Sequence, residues 1–248
     1  MPLAQAMKKY QKKAEYSFTF GAFPTFELLK NRPEQVRAVY VHSRMDNEVT
    51  MQKLESLCAK AGIHPVISDK QVERLREKDS VLIIGVFDKY TSALQQDTNH
   101  VVLVNPSDMG NLGTILRTCL GFGIHDIAII EPAADVFNPK VVRSSMGAMF
   151  RQRVSLYPDF QEYERQYGQG RTLYPFVLHG RHVLQELVWP QNERYALIFG
   201  NEATGLPAAF ADMEHSVTIR QSAEVDSFNL SLAVGMAVYK FTEGDPLP

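Results

Sequence analysis

The stretch that most constrains this chain is Asn105-Pro-Ser-Asp-Met-Gly-Asn-Leu-Gly-Thr-Ile-Leu-Arg-Thr-Cys119. A short apolar run, Val101–Val104, leads into it and reads as a buried parallel strand. Asn-Pro-Ser-Asp then breaks the strand, because these residues favour turns. Gly110 and Gly113 permit unusual backbone angles or a close approach. From Leu112 the period changes: Leu112, Ile115, Leu116 and Cys119 form one apolar stripe at helical spacing. Arg117 lies roughly 140° around the helix from the start of that stripe, away from the core. In an open α/β sheet, ligands sit at the carboxyl ends of the strands. The stretch thus places an Asn, two glycines and a projecting Arg where such a fold does its chemistry. Alone, it is equally an ordinary strand–loop–helix with a surface arginine.

The remainder of the chain repeats the strand–helix alternation. Residues 16–92 read as one α/β module. A short helix runs from Phe23 to Leu29 and a strand covers Val36–Val41. A helical stripe over Met51, Leu54, Leu57, Cys58 and Ala61 ends at Gly62. A short strand at Pro65–Ile67, a helix around Val72 and Leu75, and a strand at Val81–Phe87 complete it. Residues 88–99 are polar and aperiodic and read as the linker, so the expected domains are 1–95 and 96–248. In the second domain, strands are expected at 101–104, 127–130, 172–178, 196–199 and 216–219, with helices at 112–122, 159–167 and 227–241. That order implies an α/β fold with a mostly parallel sheet. The last helix is apolar nearly all round, so it is expected to be buried on more than one side, and a subunit interface would supply the second.

Two further stretches share the plan of the first. Ala196–Pro207 is a strand running straight into Gly200, Asn201, Glu202 and Gly205. Val217–Ser222 is a strand, followed by Asp226-Ser-Phe-Asn-Leu-Ser231 at the start of the last helix. Ser227 reads as the N-cap of that helix. Asn229 inside its first turn is not explained by helix propensity. Three such strand ends side by side make a concave polar site at one edge of a sheet.

These three stretches resemble the three motifs of the SpoU (TrmH-like) RNA 2′-O-ribose methyltransferases of the SPOUT superfamily. Asn-Leu-Gly-Thr-Ile-Leu-Arg-Thr is similar to the first, Phe-Gly-Asn-Glu-Ala-Thr-Gly-Leu to the second and Ser-Phe-Asn-Leu-Ser to the third. Asn138–Ala148 is similar to another recurrent family segment. Residues 16–92 are similar to the family's ribosomal-protein-like N-terminal domain, which binds the RNA substrate. The resemblance covers nearly the whole chain and implies a trefoil-knotted, mostly parallel catalytic sheet with helices on both faces. It also implies a homodimer built through the catalytic domain, including the last helix, and S-adenosylmethionine as cofactor.

Carried over position by position, the resemblance makes Asn111 and Arg117 the first-motif catalytic pair, Glu202 the second-motif carboxylate, and Ser227 and Asn229 the third-motif polar pair. The cofactor would lie against Leu178, His179 and Gly180, against Phe199, Gly200 and Asn201, against Ile219, Arg220 and Gln221, and against Leu230. Two positions depart from the family: Ala203 stands where glycine is usual, and Arg220 where proline follows Ile219. Both are changes of backbone shape beside the cofactor.

Methyl transfer from a sulfonium is an in-line displacement, so positioning is the main task. Family accounts give removal of the ribose proton to the first-motif arginine. A guanidinium stays protonated, so Arg117 serves equally as a bidentate phosphate clamp. Glu202 reads as an orienter of amides rather than a general base. His125 and His179 read as structural. Lys140, Arg143, Arg151 and Arg153 are the expected RNA-phosphate contacts. Lys8, Lys9, Lys12 and Lys13 form either a solvated terminus or a basic arm.

The net charge of −2 requires that any nucleic acid be held by a local patch. The two cysteines, Cys58 and Cys119, make neither a disulfide framework nor metal-ligand spacing, so no metal is expected. No membrane span or secretory signal is read, and the expected location is the cytoplasm. The two-domain layout favours ribosomal over transfer RNA as substrate. The rival expectation is a catalytically inactive RNA-binding module of the same fold, motivated by Ala203 and Arg220. A doubly wound nucleotide-binding enzyme is disfavoured, because no Gly-x-Gly-x-x-Gly follows any expected strand.

Overall fold

A computed structural model describes residues 7–188 and 193–243. The chain begins β1 (Tyr16–Phe20), α1 (Ala22–Asn31), β2 (Val36–Val41), α2 (Glu48–Lys60), β3 (Val66–Ile67), α3 (Asp69–Leu75) and β4 (Ile83–Asp88). It continues β5 (His100–Val104), α4 (Met109–Gly121), β6 (Asp126–Ile130), α5 (Pro139–Ser144), β7 (Arg153–Tyr157) and α6 (Phe160–Tyr167). It closes with β8 (Thr172–Pro175), β9 (His182–Val183), β10 (Tyr195–Phe199), β11 (Val217–Thr218) and α7 (Leu230–Phe241). Two compact units result. One comprises Met1–Tyr90 with Asp135–Phe150, the other Thr91–Ala134 with Arg151–Pro248.

The first unit is a four-stranded sheet in the order β1-β4-β2-β3. β4 runs antiparallel to both β1 and β2, and β3 runs parallel to β2. Alternate side chains of a strand face opposite ways. Phe18, Phe20, Tyr40, Ile84 and Val86 therefore pack with Val72 and Leu75, while Val39, Val41 and Ile83 pack with Phe26, Leu29, Leu54 and Cys58. Asn47 and Ser68 cap α2 and α3 by accepting the Thr50 and Gln71 N–H groups. The segment 135–150 joins this unit through α5, which lies on β1. The Ser17 hydroxyl donates to the Phe137 carbonyl, and Phe87 meets the rings of Phe137 and Phe150.

The second unit is a five-stranded, all-parallel sheet in the order β7-β6-β5-β10-β8. One face carries Val102, Val104, Ala128, Ile130, Ala196 and Ile198, packed with Tyr163 and Tyr167 of α6. The alternate residues, Val101, Leu103, Ile127, Ile129 and Leu197, are fully buried as well. Runs of apolar residues buried on both faces are what a parallel sheet needs. α7 packs on both α4 and β10. From β5 the chain passes outward to β6 and β7, whereas β10 and β8 lie on the other side. β5 and β10 therefore flank the switch point where ligands of open α/β sheets bind.

Several expected bounds move. The strand expected over 172–178 ends at Pro175. The strand expected at 216–219 shrinks to β11, which pairs with β9 in a separate two-stranded sheet. Helix 112–122 begins earlier, at Met109, because Asp108 accepts the Asn111 N–H as its N-cap. Helix 227–241 begins later, at Leu230, because Asn229 rather than Ser227 is the N-cap. α7 buries Leu230, Val234, Ala237, Val238 and Phe241, while Leu232 and Tyr239 stay about 60% exposed.

Candidate active site

The loops after β5 and β10 meet through Glu202. Its Oε2 accepts the Ser107 N–H at 3.0 Å and the Ser107 hydroxyl at 2.8 Å. Its Oε1 accepts the Asp108 N–H at 3.0 Å and the Asn111 Nδ2 at 3.4 Å. Burial alone would raise the carboxyl pKa, but these backbone and hydroxyl donors win and hold it at about 2. A carboxylate that acidic is a poor proton acceptor, so Glu202 is built to orient its donors.

Asn111 carries the connection onward. Its Oδ1 accepts the Asn229 Nδ2 at 3.1 Å. Asn229 Oδ1 in turn accepts the Ser231 N–H at 2.9 Å and the Ser231 hydroxyl at 2.7 Å. The three sequence stretches are thereby joined into one hydrogen-bonded chain. The capping role also accounts for an asparagine at this point of the sequence. Ser227, by contrast, lies in an exposed loop and joins no hydrogen bond of this chain among the described residues. Arg117 is exposed on α4, six residues beyond Asn111, with no ion pair among the described residues. Ser107 and Ser231 were not singled out in the sequence. Nothing local marks Ser107, whose partner is 95 positions away.

The expected cofactor residues lie at the carboxyl ends of β8 and β10 and after β11. Phe176 and Phe199 stack at 4.6 Å between ring centres, which sets the two strand ends side by side. Two glycines are required here. A Cβ on Gly200 would come within 2.1 Å of the Gly205 carbonyl carbon, and one on Gly180 within 2.5 Å of the Val217 carbonyl carbon. Asn201 ties its loop together: Nδ2 donates to the Asn105 carbonyl at 2.8 Å, and Oδ1 accepts the Ala203 N–H at 2.9 Å. Leu178 is 61% exposed, an apolar side chain beside converging backbone. Leu230 is buried at the head of α7, and His179 is exposed.

Both departures from the family pattern are accommodated. Among the described residues only Asn105 and Met146 are non-glycines with positive φ, so Ala203 sits in a conformation that any residue adopts. Arg220 keeps an N–H that proline would lack, and Gln185 Oε1 accepts it at 3.2 Å. Gln185 Nε2 donates back to the Arg220 carbonyl at 3.1 Å, and Glu186 pairs with the guanidinium. Gln221 spans the following loop by donating to the Asp226 carbonyl at 3.0 Å.

The four expected phosphate contacts do not form a single set. Lys140 and Arg143 belong to the first unit, Arg151 and Arg153 to the second. Arg153 is withdrawn from the set, because its Nε donates at 2.7 Å to the fully buried Asp126 and its Nη2 to the other carboxylate oxygen. Arg143 pairs with Glu77 at 3.1 Å across an exposed surface. Lys140 and Arg151 are exposed, and His125 Nδ1 meets the Arg151 carbonyl at 3.2 Å.

Over 145 residues the chain is 34% identical to an uncharacterized tRNA/rRNA methyltransferase of Synechocystis, covering 56% of this chain and 51% of the relative. Over 138 residues it is 32% identical to the 23S rRNA (guanosine(2553)-2′-O)-methyltransferase RlmP of Bacillus subtilis, covering 53% of each. The chain thus spans about half the length of these two curated relatives. Among solved structures, the SpoU methyltransferase AviRb of Streptomyces viridochromogenes, with the cofactor AdoMet, superposes with a TM-score of 0.78. It is 21% identical, over 93% of this chain and 91% of that one. An AdoMet-bound rRNA methyltransferase of Sinorhizobium meliloti gives the same TM-score at 20% identity, over 94% and 88%. At those identities the likeness establishes the fold. The model of the SpoU rRNA Methylase family matches residues 98–239, more than half of the sequence, and the chain belongs to that family.

Proposed function

We propose that this protein is an S-adenosylmethionine-dependent RNA 2′-O-ribose methyltransferase, acting on ribosomal rather than transfer RNA. The observation that carries the reading is the hydrogen-bonded chain Glu202–Asn111–Asn229, which unites the segments after β5 and β10 with the head of α7 at the switch point of a parallel sheet. The glycine-lined crossings at 180 and 200 and the exposed Leu178 fit a cofactor held on loop backbones with an apolar patch for its base. Leu178–Gly180, Phe199–Asn201, Ile219–Gln221 and Leu230 would hold it, and its sulfonium supplies an electrophilic methyl group.

The remaining work falls to the chain's own side chains. Arg117 clamps the phosphate next to the target ribose and offsets negative charge as the 2′-hydroxyl gives up its proton. Asn111 and Asn229 hold the hydroxyl by amide donors, with Glu202 fixing Asn111 and Ser227 lining the approach. Residues 1–95 supply most of the RNA-selecting domain, which 135–150 complete, and the rest of 96–248 forms the catalytic domain, with the family's trefoil knot. Lys140 and Arg151 touch RNA phosphates, and Lys8, Lys9, Lys12 and Lys13 are available to extend that contact; residues 1–6 of the same segment lie outside the described residues. Leu232 and Tyr239, exposed on α7, join two copies into a dimer. No helix among the described residues is long and apolar enough to cross a membrane, and the proposed location is the cytoplasm.

The test is purified protein with labelled S-adenosylmethionine and total RNA from a strain lacking the gene, followed by mapping of the methyl group. A 2′-O-methyl at one ribosomal position, lost in Arg117→Ala with folding intact, is the expected result. RNA binding without cofactor binding would overturn it in favour of an inactive RNA-binding module.

A further inference from the structure

The amide chain has a polarity that can be read from both of its ends. The Ser231 backbone N–H can only donate, so the Asn229 atom facing it must be the oxygen. The Asn229 nitrogen therefore faces Asn111 and meets its Oδ1. The Asn111 nitrogen is left to face Glu202. Starting from the other end gives the same answer. An ionised carboxylate only accepts, so whatever Asn111 presents to Glu202 must be its nitrogen. Neither asparagine can flip without setting donor against donor at one end.

Two serines anchor this arrangement. Ser231 donates twice to Asn229 Oδ1, from its N–H at 2.9 Å and its hydroxyl at 2.7 Å. Ser107 donates twice to Glu202 Oε2, from its N–H at 3.0 Å and its hydroxyl at 2.8 Å. Each amide nitrogen keeps one hydrogen that the chain does not use. With the polarity fixed, those hydrogens present donors only, the arrangement suited to a hydroxyl that is losing its proton.

We infer that Ser107 and Ser231 are positioning residues: they lock the orientation of the Asn111 and Asn229 amides so that both point an N–H into the site. This inference rests on the methyltransferase reading for its catalytic consequence, although the lock itself is a property of the folded chain. The residue-231 N–H and the Glu202 carboxylate set the polarity and the two hydroxyls reinforce it, Ser231 with the larger share because its hydroxyl ends directly on a proposed substrate-facing amide.

The experiment compares Ser231→Ala, Ser231→Thr and Ser107→Ala with the parent in two measurements. The first is hydrogen exchange of the asparagine side-chain amides in protein labelled with ¹⁵N-asparagine. The second is steady-state methylation of RNA. Ser231→Ala is expected to speed exchange at Asn229 and to lower kcat about tenfold, with KM for S-adenosylmethionine within about twofold. Ser231→Thr, which keeps the hydroxyl, restores both, and Ser107→Ala shows the smaller change at Asn111. A Ser231 that merely capped α7 would lower Tm and leave exchange and the kcat-to-KM pattern unmoved, which overturns the inference. Should Ser231→Ala fail to fold, Ser231→Cys makes the same comparison with a weak donor of similar size. If the parent methylates no RNA, the methyltransferase reading fails, and the exchange data still decide the lock.

Discussion

Asp126 and Glu202 are both carboxylates at an end of the same parallel sheet, and they have opposite characters. Asp126 stands at the amino end, fully buried, in register with His100 and Arg153, the first residues of the neighbouring strands. It accepts the Gln95 N–H at 3.0 Å, the Thr98 hydroxyl at 2.7 Å and both arms of Arg153. His100 beside it is also fully buried; burial first, and the nearby Arg171 charge second, push its pKa down to about 4. A cavity of about 310 Å³ opens there, lined by Thr98, Asp126, Arg153 and Tyr195. Charged groups, a shifted histidine and a cavity are the usual marks of an active site. Here they mark a joint that ties the segment 95–99 to the sheet. Glu202 stands at the carboxyl end, half-buried, accepting from Ser107 and from the Asn111 amide, whose nitrogen keeps a hydrogen that this contact does not use. On the proposed reading, function in this unit follows leftover hydrogen-bonding capacity rather than the size of the electrostatic perturbation.

The sharpest way to break that comparison is to remove each carboxylate. Asp126→Ala strips the Gln95 N–H, the Thr98 hydroxyl and Arg153 of their shared acceptor and is expected to cost about 3 kcal/mol or more in urea unfolding, with methyl transfer per folded molecule unchanged. Glu202→Gln should do the reverse, lowering the unfolding midpoint by less than Asp126→Ala does while turnover falls about a hundredfold through misplaced amides. Equal losses of turnover in the two variants would erase the distinction. A smaller effect separates the ends along the pH axis. An unfolded histidine titrates near 6.5 and His100 in the fold at about 4. Between those values the unfolded chain binds more protons, so stability should climb with pH across that window and flatten above it. Glu202, with its pKa at about 2, contributes above the usual carboxylate range and loses that contribution only as pH falls through a lower window. Urea midpoints at a series of pH values check both slopes, and His100→Gln should remove the upper one. The smallest expected effect is Gln185→Ala, which frees the Arg220 backbone and should raise KM for S-adenosylmethionine about threefold to fivefold with kcat unchanged.

Much of this was legible in the sequence for a simple reason. Val101–Val104, Ile127–Ile130 and Ala196–Phe199 are unbroken apolar runs, and a strand buried on both faces can be little else. Asn111 and Glu202 could be picked out because each follows such a run. β7 escaped notice because Arg153–Tyr157 is only partly buried and begins with a charge whose partner is 27 positions away. β1 and α5 escaped because each is short, and α5 finds its place on β1 more than 100 positions away. Ser227 outranked Asn229 as N-cap because both are good caps, and the choice depends on the Asn111 amide, which is 118 positions distant. Ser107 was invisible on the same ground. Local pattern reveals which segments are strands and where polar residues cluster; which donor meets which acceptor is decided by the sheet order.

The placement of residues 135–150 in the first unit has a consequence for how this protein can be divided or exchanged. The polypeptide enters the second unit at Thr91, leaves it at Asp135 and returns at Arg151. No single scission therefore yields two intact pieces. A fragment ending at Tyr90 lacks α5 and the aromatic residues Phe137 and Phe150 that cover Phe87. Swapping the first unit between relatives requires two grafts at once, and a recombination event with one breakpoint produces a chimera whose first unit is drawn from two ancestors.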